Sequence, residues 1–314
     1  MMQRPSVIHQ EPHNQKELHS VSFQANFPEI GESSCAIPFK TQLLKWIGNK
    51  QRFAHEIVSY FPESWRNYHE PFLGSGAVLG TLKPKKAFAS DIFDPLIGIW
   101  QALHDTPDLV KHWYRERWNM MQSTDKVEAY EAIKASYNAS PNPADLLFLC
   151  RSCYGGVVRF RKQDGYMSTP CGIHNPISPE SFSQRVDVWR GRVQNVTFRK
   201  LDYRDAFKDV KKGDLVYCDP PYSDTQSILY GAQSFHLECL FESIARCKSQ
   251  GAHVALSIDG KKNSGDKNCE IAIPKGLFHR EIFVNCGPSM LKRFQMEGRT
   301  LELHHVADRL LLTW

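Results

Sequence analysis

The chain has 314 residues, a formal net charge of +5 and a hydrophobic content of 41%. This length allows one large domain or two modest ones with a substantial core. No stretch approaches the roughly 20 apolar residues of a membrane span, and no apolar signal-peptide core follows the first residues. Nine cysteines, an odd number without regular disulfide spacing, indicate reduced thiols. The composition therefore predicts a cytoplasmic enzyme and argues against a membrane or exported protein.

The first third of the chain predicts an irregular extension followed by alternating helices and strands. Residues 1–40 are polar, rich in Pro, His, Gln and Ser, and without a sustained period. A helical pattern begins around Asn49 and is stopped by Pro62. A short strand over 65–71 leads into a glycine turn, and a second strand over 87–89 ends at Asp91.

The rest of the chain continues the pattern around a different middle section. Helices are predicted over 96–103, 109–121, 127–137 and 144–150, and a hairpin of 157–161 with 166–169 turns at Asp164-Gly165. Further on, the pattern predicts strands over 196–198, 215–218 and 253–257 and a helix over 237–247. Strands alternating with helices at both ends predict a doubly wound α/β sheet with an insert. We therefore divide the chain into an extension (1–40), a main domain (41–105 and 200–314) and an insert (106–199).

Positive charge is concentrated in the second half of this insert. Between residues 151 and 200, nine Lys or Arg residues are opposed by three acidic residues, so this window carries +6, more than the surplus of the whole chain. Aromatic residues are interleaved with the cations. Cations beside rings are typical of a surface that follows phosphates and contacts bases. A solvated loop region is the alternative.

Three short motifs point to a ligand site. In chain order they are Lys45-Trp46-Ile47-Gly48-Asn49-Lys50, Glu70-Pro71-Phe72-Leu73-Gly74-Ser75-Gly76 and Asp219-Pro220-Pro221-Tyr222. The second lies between a strand and a helix, where glycines let the backbone pass close to a ligand. The third follows an apolar run, so it places a carboxylate, a rigid turn and a ring at the end of a buried strand. Open α/β sheets bind their ligands at such ends.

Two acidic residues that follow predicted strands are further candidates. Asp91 comes fifteen residues after Gly76 and can accept both hydroxyls of a ribose, with a helix cap as the alternative. Asp202 could accept from an exocyclic amine such as an adenine N6, with Tyr203 packed against the ring. An Asx turn after a strand is the alternative for Asp202.

Together these motifs resemble the Dam-type (D12 class) adenine-specific DNA N6-methyltransferases, which use S-adenosylmethionine. The resemblance covers residues 41–314, is weakest through 106–199, and extends to Leu256-Ser257-Ile258-Asp259 and the C-terminal 310–314. The order of cofactor turn, insert and DPPY motif is the alpha arrangement of these enzymes. It implies a Rossmann-like methyltransferase sheet with an inserted, mainly helical target-recognition domain that carries the β-hairpin.

The resemblance also implies roles for single residues. The cofactor site would comprise Trp46, Lys50, Phe72, Gly74, Ser75, Gly76, Asp91, Ile92, Asp202, Tyr203 and Asp219. Without the resemblance, Trp46 would be a core ring and Lys50 an ordinary surface lysine. The catalytic group would be Asp219, Pro220, Pro221 and Tyr222, with no metal required.

The DPPY motif suits methyl transfer to an exocyclic amine. The Asp219 carboxylate and the Pro220 carbonyl can accept both hydrogens of an adenine N6 and orient its lone pair. Prolines fix the turn, so these acceptors are aimed in advance. Tyr222 offers a face for an adenine that has been flipped out of the duplex.

The predicted hairpin resembles the recognition hairpin of GATC methylases. The candidate DNA contacts are Arg159, Arg161, Lys162, Asp164, Tyr166 and Ser168. GATC enzymes have an arginine just before the hairpin glycine, where this chain has Asp164. An aspartate cannot donate to guanine and prefers a cytosine amino group, so the resemblance does not carry GATC specificity over to this chain and leaves the recognition sequence open.

A structural zinc ribbon is an alternative for the same region. Cys150 and Cys153, then Cys171 and His174, have the required spacing. Against it, Cys150 ends an apolar run, where a free cysteine commonly packs as a small hydrophobe.

The leading hypothesis is a site-specific DNA adenine N6-methyltransferase of prokaryotic or phage origin that acts on double-stranded DNA. A cognate restriction endonuclease would be a further partner if the enzyme belongs to a restriction-modification system. The alternatives are an N-methyltransferase of RNA or another amine, and a non-catalytic DNA-binding specificity subunit. The long basic insert argues against the first alternative, and the intact DPPY and glycine motifs argue against the second.

Overall fold

The computed structural model describes residues 38–221, 235–259, 272–288 and 305–314. These residues belong to one compact unit that spans residues 34–314, so the predicted extension over 1–40 lies almost entirely outside the described residues. None of the helices in the described segments is long and apolar enough to span a membrane. In chain order the elements are α1 (Ala54–Ser59), β1 (Tyr68–Glu70), α2 (Ala77–Leu82), β2 (Ala87–Asp91), α3 (Asp94–Asp105), α4 (Pro107–Ser123), α5 (Lys126–Ala139), α6 (Pro143–Ser152), α7 (Pro179–Val193), β3 (Val196–Lys200), α8 (Tyr203–Ala206), β4 (Leu215–Cys218), α9 (Leu237–Ser249), β5 (His253–Asp259), β6 (Arg280–Pro288) and β7 (His305–Leu312).

The strands form one seven-stranded sheet in the order β3-β2-β1-β4-β5-β7-β6. The first five strands in this order, β3 to β5, are parallel to one another. Strand β7 is antiparallel to both β5 and β6. The prediction of an α/β fold with a central, mainly parallel sheet is therefore confirmed, whereas β6 and β7 were not predicted.

Apolar side chains cover the sheet on both faces. Every residue of β1 and of β4 is buried, as is usual for parallel strands with helices on both sides. On one face, Tyr217 joins a large cluster that includes Trp100 of α3 and Trp189 of α7. On the other face, Val216 packs in a second cluster with Leu240 of α9.

Three local predictions differ from the structure. The first helix begins at Ala54 rather than near Asn49, because the Asn49 side chain accepts from the Gln51 N–H and forms a turn that competes with the helix. The predicted hairpin strands are reduced to single bridges such as Phe160 with Met167. Helix α7 was not predicted at all.

The segment predicted as an insert, residues 106–199, contains helices α4 to α7. These helices pack against one another, and α4, α6 and α7 also pack against α3. The central sheet resumes with β3 at Val196, so the last residues assigned to the insert belong to the sheet.

Candidate active site

The loops that follow β1, β2 and β4 meet at one edge of the sheet, because parallel strands place their carboxyl ends together. A cavity opens at this edge. Of the predicted cofactor and catalytic residues it is lined by Trp46, Lys50, Phe72, Gly74, Ser75, Asp91, Ile92, Asp202, Tyr203, Asp219, Pro220 and Pro221. Glu70, Tyr217 and Phe235 line it as well. Tyr222 lies outside the described residues.

The glycine turn between β1 and α2 is held by a carboxylate and a ring. The Gly74 N–H donates to Asp91 Oδ2 at 3.1 Å, and Trp100 Nε1 donates to the Gly74 carbonyl at 3.1 Å. Gly74 has a φ of 47°, in the left-handed region where glycine is favoured. The ring of Trp46 would lie 3.4 Å from a Cβ at this position. Residues distant in sequence thus fix the backbone of the turn.

Gly76 contributes differently. It does not line the cavity but precedes α2 with a φ of 62°. A Cβ here would lie 3.1 Å from the ring of Trp100. Glycine at this position is therefore explained by packing and backbone conformation.

Asp91 lies at the end of β2 and is buried. Its Oδ1 accepts from the Phe93 N–H at 3.1 Å, so each carboxylate oxygen bonds one backbone N–H. Burial raises the pKa of Asp91 to about 6, while these N–H groups oppose the shift. The residue at the N-cap of α3 is Phe93, not Asp91. Asp91 therefore joins the glycine turn to the start of α3 and presents an ionised carboxylate to the cavity at neutral pH.

Asp202 has the local geometry of the alternative interpretation, a turn in which the aspartate accepts from a nearby backbone N–H. It caps α8 by accepting from the Arg204 N–H at 2.8 Å, and its two oxygens bond the Arg204 guanidinium at 2.9 and 3.1 Å. The hydrogen bonds from Arg204 hold the pKa of Asp202 below its usual value. Beside it, the ring of Tyr203 stacks on Phe72 with centroids 5.1 Å apart. Asp202 thus caps a helix and also borders the cavity.

Lys50 is the most buried cation of the site. Its Nζ lies 3.0 Å from Asp219 Oδ1 and 3.2 Å from Asp308 Oδ2, and its side chain is only 5% exposed. Burial by itself lowers the pKa of Lys50, but the charges and hydrogen bonds of Asp219 and Asp308 outweigh it and the pKa is raised. Lys50 is therefore an ammonium between two carboxylates rather than the surface lysine that the isolated motif would suggest.

Sequence reasoning missed two acidic residues here. Glu70 is buried and accepts from the Tyr68 hydroxyl at 2.6 Å. Burial raises its pKa to about 8, with a smaller contribution from the charge of Asp219. Asp308 lies on β7 and contacts Lys50. For Glu70, a signal was its position at the end of a predicted strand, directly before the glycine turn. For Asp308, the signal was an acid close to the leucines at the C-terminus.

The candidate DNA contacts lie in the hairpin and do not line the cavity. Arg161 bonds both oxygens of Asp164, at 3.1 and 2.8 Å, and its guanidinium lies 4.2 Å from the ring centre of Tyr166. Arg159, Lys162 and Ser168 are exposed. The side chain that departs from the GATC pattern is therefore paired with an arginine three residues earlier.

Several basic residues of the 151–200 window donate hydrogen bonds to backbone carbonyls of this chain. Arg151 is buried and donates to the carbonyls of Gln42 and Leu43, at 3.2 and 2.8 Å. Arg185 donates to the same Gln42 carbonyl, and Arg192 donates to the Gly80 carbonyl. For the buried Arg151, neither a phosphate-facing surface nor a solvated loop was the correct interpretation. Arg185 and Arg192 are half-buried and use one guanidinium nitrogen each on these carbonyls.

The cysteine residues do not form the zinc site considered as an alternative. Cys150 is fully buried in α6. Cys153 and Cys171 are free cysteines whose backbones are partners in an isolated antiparallel β-bridge. Across the described segments, no group of three or more His, Cys, Asp or Glu residues could hold a metal ion.

Comparison with known proteins identifies the family. The family model for D12 class N6 adenine-specific DNA methyltransferases matches residues 46–259, which is more than half of the chain. The chain belongs to this family.

Three individual relatives share between 26% and 30% sequence identity with the chain. The chain is 29% identical over 185 residues to a DNA adenine methylase of Vibrio cholerae serotype O1, covering 57% of this chain and 64% of the relative. It is 30% identical over 192 residues to the Retron Ec67 DNA adenine methylase of Escherichia coli, covering 59% and 65%. The type II methyltransferase M1.LlaDCHI of Lactococcus lactis subsp. cremoris is 26% identical over 230 residues, covering 68% and 79%. The chain thus spans slightly less than two thirds of the first two relatives.

Among solved structures, the chain is similar to the rRNA methyltransferase aviRa from Streptomyces viridochromogenes. The TM-score is 0.35 at 13% identity, with 83% of this chain and 84% of the other covered. A similarity this distant bears on neither the activity nor the substrate.

Proposed function

We propose that this protein is a site-specific DNA adenine N6-methyltransferase that uses S-adenosylmethionine. The observation that carries the proposal is the cavity at the carboxyl edge of the sheet, where Asp219 and Pro220 meet the glycine turn and Asp91. The family match supports the reaction type. The names of the bacterial relatives support adenine in DNA as the target and a cytoplasmic, DNA-associated enzyme.

The residues of the cavity fit the methyl donor. Phe72 and Tyr203 provide a stacked aromatic wall for a nucleoside base, and Trp46 lies over the glycine turn. Asp91 can accept ribose hydroxyls, since each of its oxygens retains accepting capacity beside one N–H bond. S-adenosylmethionine, when bound, supplies an electrophilic methyl group on a positively charged sulfur.

The chain contributes orientation rather than a strong base. Asp219, at 19% side-chain exposure, is accessible from the cavity and is held by Lys50 on Oδ1. Its carboxylate and the Pro220 carbonyl would accept the two N6 hydrogens of a flipped adenine, which aims the nitrogen lone pair at the methyl group. After transfer the N6 nitrogen is positively charged and strongly acidic, so the Asp219 carboxylate or water can take its proton and no stronger base is required. Tyr222 would stack on the flipped base.

Recognition of the DNA is assigned to the segment between α3 and β3. We retain residues 106–199 as the target-recognition region and Arg159, Arg161, Lys162, Asp164, Tyr166 and Ser168 as its candidate contacts. Exposed cations beside a Tyr ring at a narrow turn support this assignment. The Rossmann-like character of the sheet and a cognate restriction endonuclease belong to the same proposal.

Replacing Asp219 with alanine tests the proposal. The purified chain should transfer labelled methyl groups from S-adenosylmethionine to duplex DNA, and Asp219→Ala should lower this rate by at least about 100-fold, the lower range for loss of an oriented polar group. Affinity for DNA, measured by fluorescence anisotropy, should be unchanged. Asp105→Ala, which removes an exposed carboxylate at the end of α3, is the control.

The nature of the product distinguishes the alternatives. Nucleoside analysis of treated DNA should yield N6-methyladenine, and sequencing of a host that expresses the chain should show one methylated motif. Methylation of RNA in preference to duplex DNA, or an Asp219→Ala variant that keeps more than about a hundredth of the rate, would contradict the proposal.

A further inference from the structure

Asp308 is a buried carboxylate that the family match does not include, since the match ends at residue 259. It lies on β7, and its Oδ2 is 3.2 Å from Lys50 Nζ. The same ammonium contacts Asp219 Oδ1 at 3.0 Å. Asp308 is thus connected to the DPPY carboxylate through one cation.

The antiparallel direction of β7 brings Asp308 to this edge of the sheet. Because β7 runs against β5, its first residues lie beside the end of β5, and Asp308 pairs with Asp259. Leu310 and Leu312 follow on the same face of β7 and join the cluster that contains Tyr217. Asp308 is therefore an acid on an otherwise apolar face, and its side chain is 12% exposed.

Neutralising Lys50 does not require a second carboxylate. One carboxylate already balances one ammonium, and burying another charge carries a desolvation cost of several kcal/mol. Apolar residues of similar volume in place of buried ion pairs are often neutral or stabilising. An acid at this position is therefore better explained by what it does to the orientation of Lys50 than by stability.

We propose that Asp308 is a positioning residue for methyl transfer, acting on Asp219 through Lys50. With Asp308 present, the ammonium is held at two points, and its contact with Oδ1 keeps the Asp219 carboxylate in one orientation. Without Asp308, Lys50 would lose one of the contacts that fix its ammonium, and the Asp219 carboxylate could turn away from the line required for N6. This inference rests on the proposed function, because it assigns Asp219 the catalytic role.

The test compares Asp308→Asn with the wild-type enzyme in steady-state methylation of duplex DNA. Mutation of residues that orient the ligands of a metal site typically costs 10–100-fold, and we expect a loss of kcat in the same range because Asp308 would orient Asp219 in a similarly indirect way. KM values for S-adenosylmethionine and DNA should stay within about twofold, since Asp308 touches neither in the proposed arrangement. Asp308→Glu should recover part of the rate, because it restores the charge. A purely structural role would not separate kcat from KM in this way.

The matched control is Glu281→Gln. Glu281 of β6 pairs with Arg309 of β7 at 2.6 Å, so the variant makes the same carboxylate-to-amide change beside the same strand but not at Lys50. Should Asp308→Asn not fold, Asp308→Leu, which matches the leucines on the same face, takes its place with the same expectations.

The outcomes separate the two proposals. If Asp219→Ala is inactive but the kcat of Asp308→Asn equals that of the control Glu281→Gln, Asp308 has no positioning role. The proposed function then still stands. The same holds if the loss lies in KM alone. If the wild-type chain transfers no methyl group to DNA, the proposed function falls, and this inference falls with it.

Discussion

At the scale of single residues, the carboxylates of the cavity differ because their partners differ. Asp219 is balanced by an ammonium at 3.0 Å, and Asp91 accepts two backbone N–H groups. Glu70 accepts a hydroxyl and is more deeply buried than Asp219, so burial dominates and its pKa rises to about 8. At neutral pH this part of the cavity therefore holds Asp91, with a pKa of about 6, beside a largely protonated Glu70.

This difference predicts a pH-dependent effect of Glu70→Gln on stability. The usual pKa of Glu is 4.5, and the folded protein raises it to about 8. Between these values the folded state retains a proton that the unfolded chain has lost, so the contribution is complete below 4.5 and is lost as the pH rises towards 8. The free energy of unfolding should fall by up to about 1.4 kcal/mol per pH unit from this group. Glutamine keeps an oxygen for Tyr68 but cannot ionise, so this slope should be absent.

Urea unfolding at several pH values between about 5 and 8 would measure the difference. We expect Glu70→Gln to gain stability relative to wild type as the pH rises, whereas Glu281→Gln, at a half-exposed site, should show no such trend. A constant difference between Glu70→Gln and wild type over the whole range would show that Glu70 is ionised throughout.

At the scale of elements, α6 and α7 hold the segment that leads to the cavity. Arg151 of α6 and Arg185 of α7 bond the Gln42 carbonyl, and Trp189 Nε1 donates to the Thr41 carbonyl at 2.9 Å. This segment continues directly to Trp46 and Lys50. Part of the positive charge of the window thus satisfies backbone carbonyls upstream of the cofactor motif.

Replacing Arg151 with methionine should therefore destabilise the protein. The change would leave the Leu43 carbonyl without this donor, while the Gln42 carbonyl would keep its bond from Arg185. A buried unsatisfied polar group costs about 1–3 kcal/mol, so we expect the free energy of unfolding to fall by about that amount and affinity for S-adenosylmethionine to fall with it. Arg190→Met, at an exposed position of α7, should stay within about 0.5 kcal/mol of wild type. Equal stabilities of the two variants would mean that the Arg151 contacts contribute little.

An element could be predicted from the sequence where its own residues and their immediate neighbours show the pattern of a strand or helix. The parallel strands β2, β4 and β5 were accessible because each contains a short apolar run close to glycine, proline or aspartate. The period of α7 was also present, with Phe182, Val186, Trp189 and Val193 buried at helical spacing, but interspersed charges concealed it. Strand β7 could not be recognised in the same way, since Asp308 and Arg309 interrupt its apolar alternation.

The site was predictable to the extent that its residues follow strand ends. Asp91 and Asp219 do so, and the parallel sheet brings them to one edge. Asp308 reaches the same edge only because β7 runs antiparallel, which depends on pairing between segments remote in sequence. Nor does sequence indicate whether an arginine points to solvent or, like Arg151, to buried carbonyls.

At the scale of the whole molecule, the surplus of positive charge over 151–200 separates into two groups. Arg151, Arg185 and Arg192 bond backbone carbonyls, while Arg199 and Lys200 contact acidic side chains. In the described part of the chain, the side chains of Arg159 and Lys162 form no ion pair and are exposed in the hairpin. Arg190 of α7 is exposed as well. The cations available to a phosphate backbone are therefore fewer than the sequence count suggests, and Arg159 and Lys162 place two of them at the hairpin.

This distribution predicts which cations set the salt dependence of DNA binding. Each neutralised phosphate contributes about 0.9 to the slope of log affinity against log salt concentration. Lys162→Ala should reduce the slope by about that amount, and equally on specific and scrambled duplexes, because phosphate contacts carry no sequence information. Lys85→Ala is the matched control: Lys85 is equally exposed but precedes β2, so it lies at the edge of the sheet opposite the cavity, and its loss should leave the slope unchanged. Fluorescence anisotropy titrations at several salt concentrations would measure both. Equal slopes for Lys162→Ala and wild type would place the duplex away from the hairpin and would shift the search for phosphate contacts to other exposed residues of 106–199.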